Sequence, residues 1–109
     1  MRFAAIPTLH MLCSAALTPK AASDAVFGIV AEHEIARRHK IEEDRAAKKY
    51  GNAKALHHAQ CWLAANRDSY TARLRERYAD ALPRWADAVA RGCSVTWVAS
   101  MHIETKGGH

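Results

Sequence analysis

The chain has 109 residues, half of them hydrophobic, and a formal net charge of +5 at neutral pH. Alanine accounts for 23 residues, whereas Leu, Ile, Val and Phe together number only 19, so the area available for a core is small because alanine buries little surface. This length and composition exclude a multidomain enzyme, a collagen-like chain, a membrane bundle and a disulfide-dense toxin.

The charge balance favours an acidic partner. Sixteen Lys and Arg against eleven Asp and Glu give a pI near 9.4, an excess typical of proteins that bind nucleic acid, an anionic membrane or an acidic face of another protein. The two signs are interleaved along the chain, however, which is typical of a solvated mixed surface. No apolar run is long enough to span a membrane, and we expect no membrane partner.

Residues 1–17 form an apolar segment with two interpretations. Alternating apolar residues, with Pro7 among them, predict an edge strand or an irregular apolar segment. Alternatively, the segment imitates a secretory signal with cleavage near Ser23. Because Pro7 and His10 interrupt the apolar run and only Arg2 precedes it, we favour a cytoplasmic protein with free thiols.

A long helix is predicted over residues 19–50. Thr18 is suited to cap it, Pro19 to its first position and Gly51 to its end. The first half is amphipathic, whereas beyond Ala36 the apolar stripe gives way to charged residues. The second half is therefore predicted to be an exposed helical arm, supported by ion pairs four residues apart.

A second long helix is predicted over residues 53–91, after a cap at Asn52. Pro83 cannot donate to the carbonyl of Ala79 and should kink or divide the helix, and a continuous apolar phase favours a kink over a full break. The short connection predicts that the two helices form an antiparallel hairpin. The stripe that stays in phase consists of Leu56, Ala59, Leu63, Tyr70, Leu74, Tyr78, Ala81, Trp85 and Ala88.

Beyond the second helix the apolar period changes from 3.6 to two. The alternation predicts a strand over residues 93–104, and residues 105–109 are expected to form a frayed tail. A strand needs a partner, which the N-terminal segment, a second copy or a target would supply. The predicted fold is α+β, mainly α: a single domain of residues 1–109 in which a long antiparallel helical hairpin carries a short sheet.

Three side chains near the start of the second helix form the most metal-like group. A helix can direct two of His57, His58 and Cys61 at one ion, but zinc takes four ligands, or three and water. These residues are weak metal candidates, and we predict no cofactor. A Cys61–His57 dyad for nucleophilic chemistry lacks an orienting acid. A metal- or thiol-dependent enzyme is therefore the third interpretation, and no catalytic residue is predicted.

Six arginines on the second helix are candidate contacts for nucleic acid or an acidic protein. Arginine pairs with phosphate, and aromatic side chains stack on bases. The neighbouring aromatics Tyr70, Tyr78 and Trp85 share the apolar stripe, however, and are expected to be buried. The six are Arg67, Arg73, Arg75, Arg77, Arg84 and Arg91.

The predicted C-terminal strand offers a second candidate surface. Trp97, Met101 and Ile103 lie beside its edge, and an unpaired edge with apolar neighbours suits strand addition or dimerisation. We predict a non-catalytic binding protein, an accessory regulator or inhibitor that acts by occlusion: a rigid helical surface with its Arg residues docks on an acidic or nucleic-acid-binding face of a protein partner. Small Ala/Arg-rich chains without catalytic motifs are compatible with such roles in bacteria and their mobile elements, phages included. Direct nucleic-acid binding through the Arg67–Arg91 face is the alternative.

Overall fold

A computed structural model of the chain describes residues 17–107, with side chains described up to residue 105. This part of the chain forms four helices: α1 (Pro19–Tyr50), α2 (Asn52–Arg77), α3 (Leu82–Ala90) and α4 (Val95–Gly107). Its contacts group into two compact units. The hairpin unit is Ala31–Arg77. The terminal unit combines Met1–Val30 with Tyr78–His109, of which residues 17–30 and 78–107 are described.

The ends of α1 are set by local chemistry. The backbone N–H of Ala21 donates to the hydroxyl of Thr18 at 3.1 Å, and Pro19 occupies the first helical position. At the other end, the N–H of Gly51 closes the last turn on the carbonyl of Ala47 at 2.9 Å. Gly51 has a φ of +93°, a conformation that costs glycine little. The helix covers the range predicted from these signals.

In the hairpin unit, α2 runs back along residues 31–50 of α1. Arg67 pairs with Glu32, and the ring of His58 stacks on that of Tyr50. Residues later in α1 therefore contact residues earlier in α2, as in an antiparallel pair. The predicted antiparallel hairpin is thereby confirmed. Leu74 is fully buried, and the other buried positions are mostly alanines that allow the helices to approach closely. These buried residues are Ala31, Ile35, Ala46, Ala55, Ala59 and Tyr70.

The terminal unit has the larger apolar side chains. Its core contains three aromatic rings, with the centroids of Tyr78 and Trp85 5.9 Å apart and the His102 ring edge-on to both at 5.0 and 5.2 Å. Such tilted and edge-to-face arrangements are the preferred geometries for aromatic pairs. The remaining buried apolar residues are Ala22, Val26, Phe27, Val30, Ala81, Ala86, Val89, Val95, Val98 and Ala99.

The predicted strand over residues 93–104 is wrong, because residues 95–107 are helical. The N–H of Trp97 donates to the hydroxyl of Ser94 at 3.0 Å, and the N–H of Val98 donates to the Ser94 carbonyl at 3.0 Å, so Ser94 is an N-cap. Residues 17–107 contain no strand, and the α+β class is replaced by an all-helical one over this range. The proposed partner strand within residues 1–17 lies outside the described residues, apart from Leu17.

The helix expected over residues 53–91 is divided at the turn 78–81. Helix α2 ends at Arg77, and α3 begins at Leu82 with Pro83 in its first turn. Pro83 has no N–H to continue α2, whereas in the first turn of a new helix that donor is not needed. The N–H groups of Ala81 and Leu82 bond instead to the carbonyl of Tyr78, at 2.8 and 3.2 Å. No helix of the described chain is long and apolar enough to cross a membrane.

Candidate functional site

Helix α4 presents two large apolar side chains to solvent. Trp97 is 55% exposed and Met101 is 43% exposed. They are four residues apart, which places them one above the other on one helix face. The opposite face is buried through Val95, Val98 and Ala99, and this packing fixes which side of the helix Trp97 and Met101 occupy.

The α4 face, defined by Trp97 and Met101, lies in an uncharged part of the chain. No Lys, Arg, Asp or Glu occurs between Arg91 and Glu104, although a quarter of the whole chain is charged. Trp and Met are enriched in protein interfaces, and charged residues are depleted at interface centres. Of the three association residues predicted on a strand, Ile103 is half-buried on the helix and does not belong to this face.

The terminal unit also contains an open apolar trough of about 290 Å³. Its one charged side chain, Asp87, is already paired with Arg91, with Oδ2 and Nε 3.0 Å apart. Small-molecule sites usually combine an apolar wall with a few convergent polar groups, and the lining of this trough is almost entirely apolar. It is lined by Pro19, Pro83, Ala86, Asp87 and Ala90.

The six candidate arginines do not share one helix. Arg67 and three others belong to α2 in the hairpin unit, whereas Arg84 and Arg91 belong to the terminal unit. Arg67 pairs with Glu32, Arg91 pairs with an aspartate one turn away, and Arg84 donates to a backbone carbonyl at 2.9 Å. The nucleic-acid alternative assumed that all six arginines lie on one face of a single helix, and the structure does not place them so. The α2 members are Arg67, Arg73, Arg75 and Arg77, all of them exposed.

The aromatic residues between these arginines are not available to stack on bases. Tyr70, Tyr78 and Trp85 are each less than a tenth exposed. Their burial agrees with their position in the apolar stripe.

The weak metal candidates are only partly brought together. The Sγ of Cys61 lies 3.6 Å from Nε2 of His57, and both are exposed on α2. His58 turns instead to stack on Tyr50, with ring centroids 4.1 Å apart. Within residues 17–105, no group of three or more His, Cys, Asp or Glu side chains is placed to hold a metal ion.

The structure also reveals a feature that the sequence reasoning missed. An open cleft of about 220 Å³ lies beside the turn between α1 and α2, walled by aromatic rings and by basic side chains. In the sequence, the signal is that residues 45–66 contain no Asp or Glu. A charge count over residues 32–54 hides this stretch, because it also includes the acidic residues that precede it. The cleft is lined by Glu42, Arg45, Ala46, Lys49, Tyr50, His58 and Trp62.

Comparison of the chain with known protein families, curated proteins and solved structures finds no match.

Proposed function

We propose that this chain is a small non-catalytic binding protein, an accessory regulator or inhibitor that docks on a protein partner through the α4 face. The observation that carries the proposal is the exposure of Trp97 and Met101 one turn apart on a helix whose opposite side is buried. A tryptophan held on a rigid element loses little conformational entropy on binding and supplies a large contact area.

We infer the kind of partner from the chemistry of the α4 face. Because no charged side chain occurs between Arg91 and Glu104, a complementary surface needs no opposite charges and gains affinity by excluding water. The partner is therefore a protein with an uncharged apolar groove that accepts one face of a helix. The chain acts by occlusion: while α4 fills the groove, the partner's own ligand is excluded from it.

The proposal is tested by comparing two variants that add the same charge. Trp97→Asp places a carboxylate in the apolar face, and Thr96→Asp places one at the neighbouring exposed position in the same helical turn. Both carboxylates lie near the N-terminus of α4, so their effects on helix stability match. Tagged wild-type chain and both variants are used to capture proteins from the source cells.

The expected result is a protein that wild-type chain and Thr96→Asp retain and Trp97→Asp does not. With that protein purified, Trp97→Asp is expected to weaken the dissociation constant by about thirtyfold or more, the effect of losing an interface hot spot of about 2 kcal/mol. Capture that is the same for all three chains would contradict the proposal. Light scattering shows whether the partner is instead a second copy of this chain. In that case the wild-type chain would have the mass of a dimer and Trp97→Asp would have the mass of a monomer.

A further inference from the structure

The turn of the hairpin unit concentrates positive charge. Residues 45–66 contain four Lys and Arg and no Asp or Glu. Helix α1 ends at Tyr50 and α2 begins at Asn52, so the fold places the basic residues on both sides of one tight turn. We call this region the hairpin tip, residues 45–62; its basic residues are Arg45, Lys48, Lys49 and Lys54.

Aromatic rings form the walls of the cleft at the hairpin tip. The rings of Tyr50 and His58 are stacked, with centroids 4.1 Å apart and an angle of 12° between their planes, while Tyr50 remains 47% exposed. Trp62 is half-buried and held edge-on by Tyr70 at 6.2 Å. The guanidinium of Arg38 covers the Trp62 ring at 4.5 Å. The walls are thus held in place before any ligand arrives.

The one acidic residue of the cleft is already neutralised. Glu42 Oε2 accepts hydrogen bonds from Nε of Arg38 at 2.7 Å and from Nη1 of Arg45 at 3.1 Å. Two cations on one carboxylate leave a positive excess, and the Arg45 side chain is still 67% exposed. The ammonium of Lys49 lies over the Tyr50 ring, 5.3 Å from its centroid, so a base that stacks on this ring takes the place of the ammonium and leaves it beside the phosphate.

We infer that the hairpin tip binds a nucleoside phosphate, with the base stacked in the aromatic cleft and the phosphate held by Arg45 and Lys49. Every base has a face that stacks on aromatic rings, and the phosphate requires cations beside it. An acidic peptide would use the cations and leave the rings unused. The nucleoside phosphate is either a free nucleotide or part of a single strand, since bases in a duplex are stacked on one another.

The probe is a fluorescein-labelled ten-residue oligouridylate, with fluorescence anisotropy measured at 50 and 200 mM salt. Single-stranded binding through two phosphate contacts has a log–log salt slope of about −1.4, so affinity should fall about sevenfold across this range. Unlabelled uridine monophosphate is the competitor that separates the two sources. If uridine monophosphate displaces the probe at the same nucleotide concentration as unlabelled oligouridylate does, the ligand is a free nucleotide. If uridine monophosphate displaces it much less well, the ligand is a strand. Both outcomes support the inference.

Two pairs of variants locate the site. The double variant Arg45→Ala/Lys49→Ala removes two charges at the tip, and Arg73→Ala/Arg77→Ala removes two exposed charges at the far end of α2. We expect the first pair to abolish the salt dependence and to weaken binding tenfold or more, and the second to change affinity less than twofold. Tyr50→Ala should weaken binding about fivefold or more because a stacked base is lost, whereas Tyr50→Phe retains the stacking surface and the affinity.

Three results would overturn the inference. The first is no oligouridylate binding at 50 mM salt by wild-type chain with native helical circular dichroism. The second is equal weakening by the two double variants, which indicates a diffuse charge effect. The third is displacement by inorganic phosphate as effective as by unlabelled oligouridylate at the same phosphate concentration, which would show that the base contributes nothing. Trp97→Asp should bind oligouridylate as wild-type does, so the result is independent of the α4 face.

Discussion

The two units of the chain use different means to hold their helices together. The described part of the terminal unit has four Lys and Arg against four Asp and Glu, and it buries the large apolar and aromatic side chains. The hairpin unit has eleven basic against seven acidic residues, a net +4, and its buried positions are mostly alanine. The few large apolar residues of the chain are therefore divided unevenly, and most of the buried ones lie in the terminal unit. The uncharged α4 face belongs to the terminal unit, and the basic hairpin tip belongs to the hairpin unit.

The largest expected effect comes from Trp85→Ala, which removes a ring that contacts both Tyr78 and His102. A cavity of this size costs about 3–5 kcal/mol. Hydrogen exchange should show lost protection over residues 78–107 and retained protection over residues 31–77. Trp97→Ala, at an exposed position, is the control and should change the free energy of unfolding by less than about 0.5 kcal/mol. Equal loss of protection in both units would contradict the division between them.

In the hairpin unit the residue to remove is Arg38, whose guanidinium lies 4.5 Å from the centroid of Trp62 and 5.6 Å from that of Tyr70. Arg38→Ala should reduce the free energy of unfolding by about 1–2 kcal/mol, because a partly desolvated cation–π contact and the pair with Glu42 are both lost. Arg38→Lys should recover less than half of this, since lysine lacks the planar guanidinium.

The matched control for that measurement is Arg37→Ala, a neighbouring arginine that is exposed. Urea denaturation should place it within about 0.5 kcal/mol of wild type. If Arg37→Ala and Arg38→Ala were equally destabilising, net charge rather than the contact with Trp62 would be responsible.

Helix α1 and the hairpin were predictable because their signals are local. Thr18, Pro19 and Gly51 act on the backbone within one turn of their own positions, and Asn52 is adjacent to the turn. The Pro83 break was less predictable, because proline permits either a kink or the start of a new helix. The choice depends on whether the turn at Tyr78 can satisfy the freed N–H groups, which is visible only in three dimensions.

Residues 93–104 contain two patterns at once. Alternating apolar residues and the β-branched Val95 and Val98 favour a strand, while Val95, Val98, Ala99 and His102 also follow helical spacing. A helix satisfies its own backbone hydrogen bonds, whereas a lone strand cannot. With no strand elsewhere in residues 17–107 to pair with, the helical pattern prevails.

The geometry of spacing explains which candidate residues remain together. A separation of four places Trp97 and Met101 on the same side of either a strand or a helix, whereas Ile103, six residues from Trp97, shares a side only in a strand. The hairpin tip was missed for a different reason. The cations of its cleft lie on α1 and two of its rings lie on α2, and only the turn at Gly51 brings them together.

A prediction that tests the helical assignment directly is Ser94→Ala. The variant loses the hydrogen bond from the N–H of Trp97 to the Ser94 hydroxyl, and loss of an N-cap costs about 1 kcal/mol. Ser94→Asp can accept the same hydrogen bond and should be close to wild type. Thermal denaturation followed by circular dichroism measures both, and an unchanged melting temperature for Ser94→Ala would argue against α4 as described.

The smallest effects come from two glycines that should respond to alanine with opposite signs. Gly28 lies within α1 in the terminal unit, and a Cβ there would meet nothing within 4 Å. Gly28→Ala should therefore stabilise the chain by about 0.5–1 kcal/mol, because alanine loses less backbone entropy in a helix. A Cβ at Gly51 would also have open space, but its φ of +93° disfavours any side chain, so Gly51→Ala should destabilise the hairpin unit by about 1 kcal/mol. Since neither alanine meets a steric clash, urea denaturation of the two variants isolates the backbone contribution, and effects of the same sign would show that the turn conformation is not what limits the hairpin.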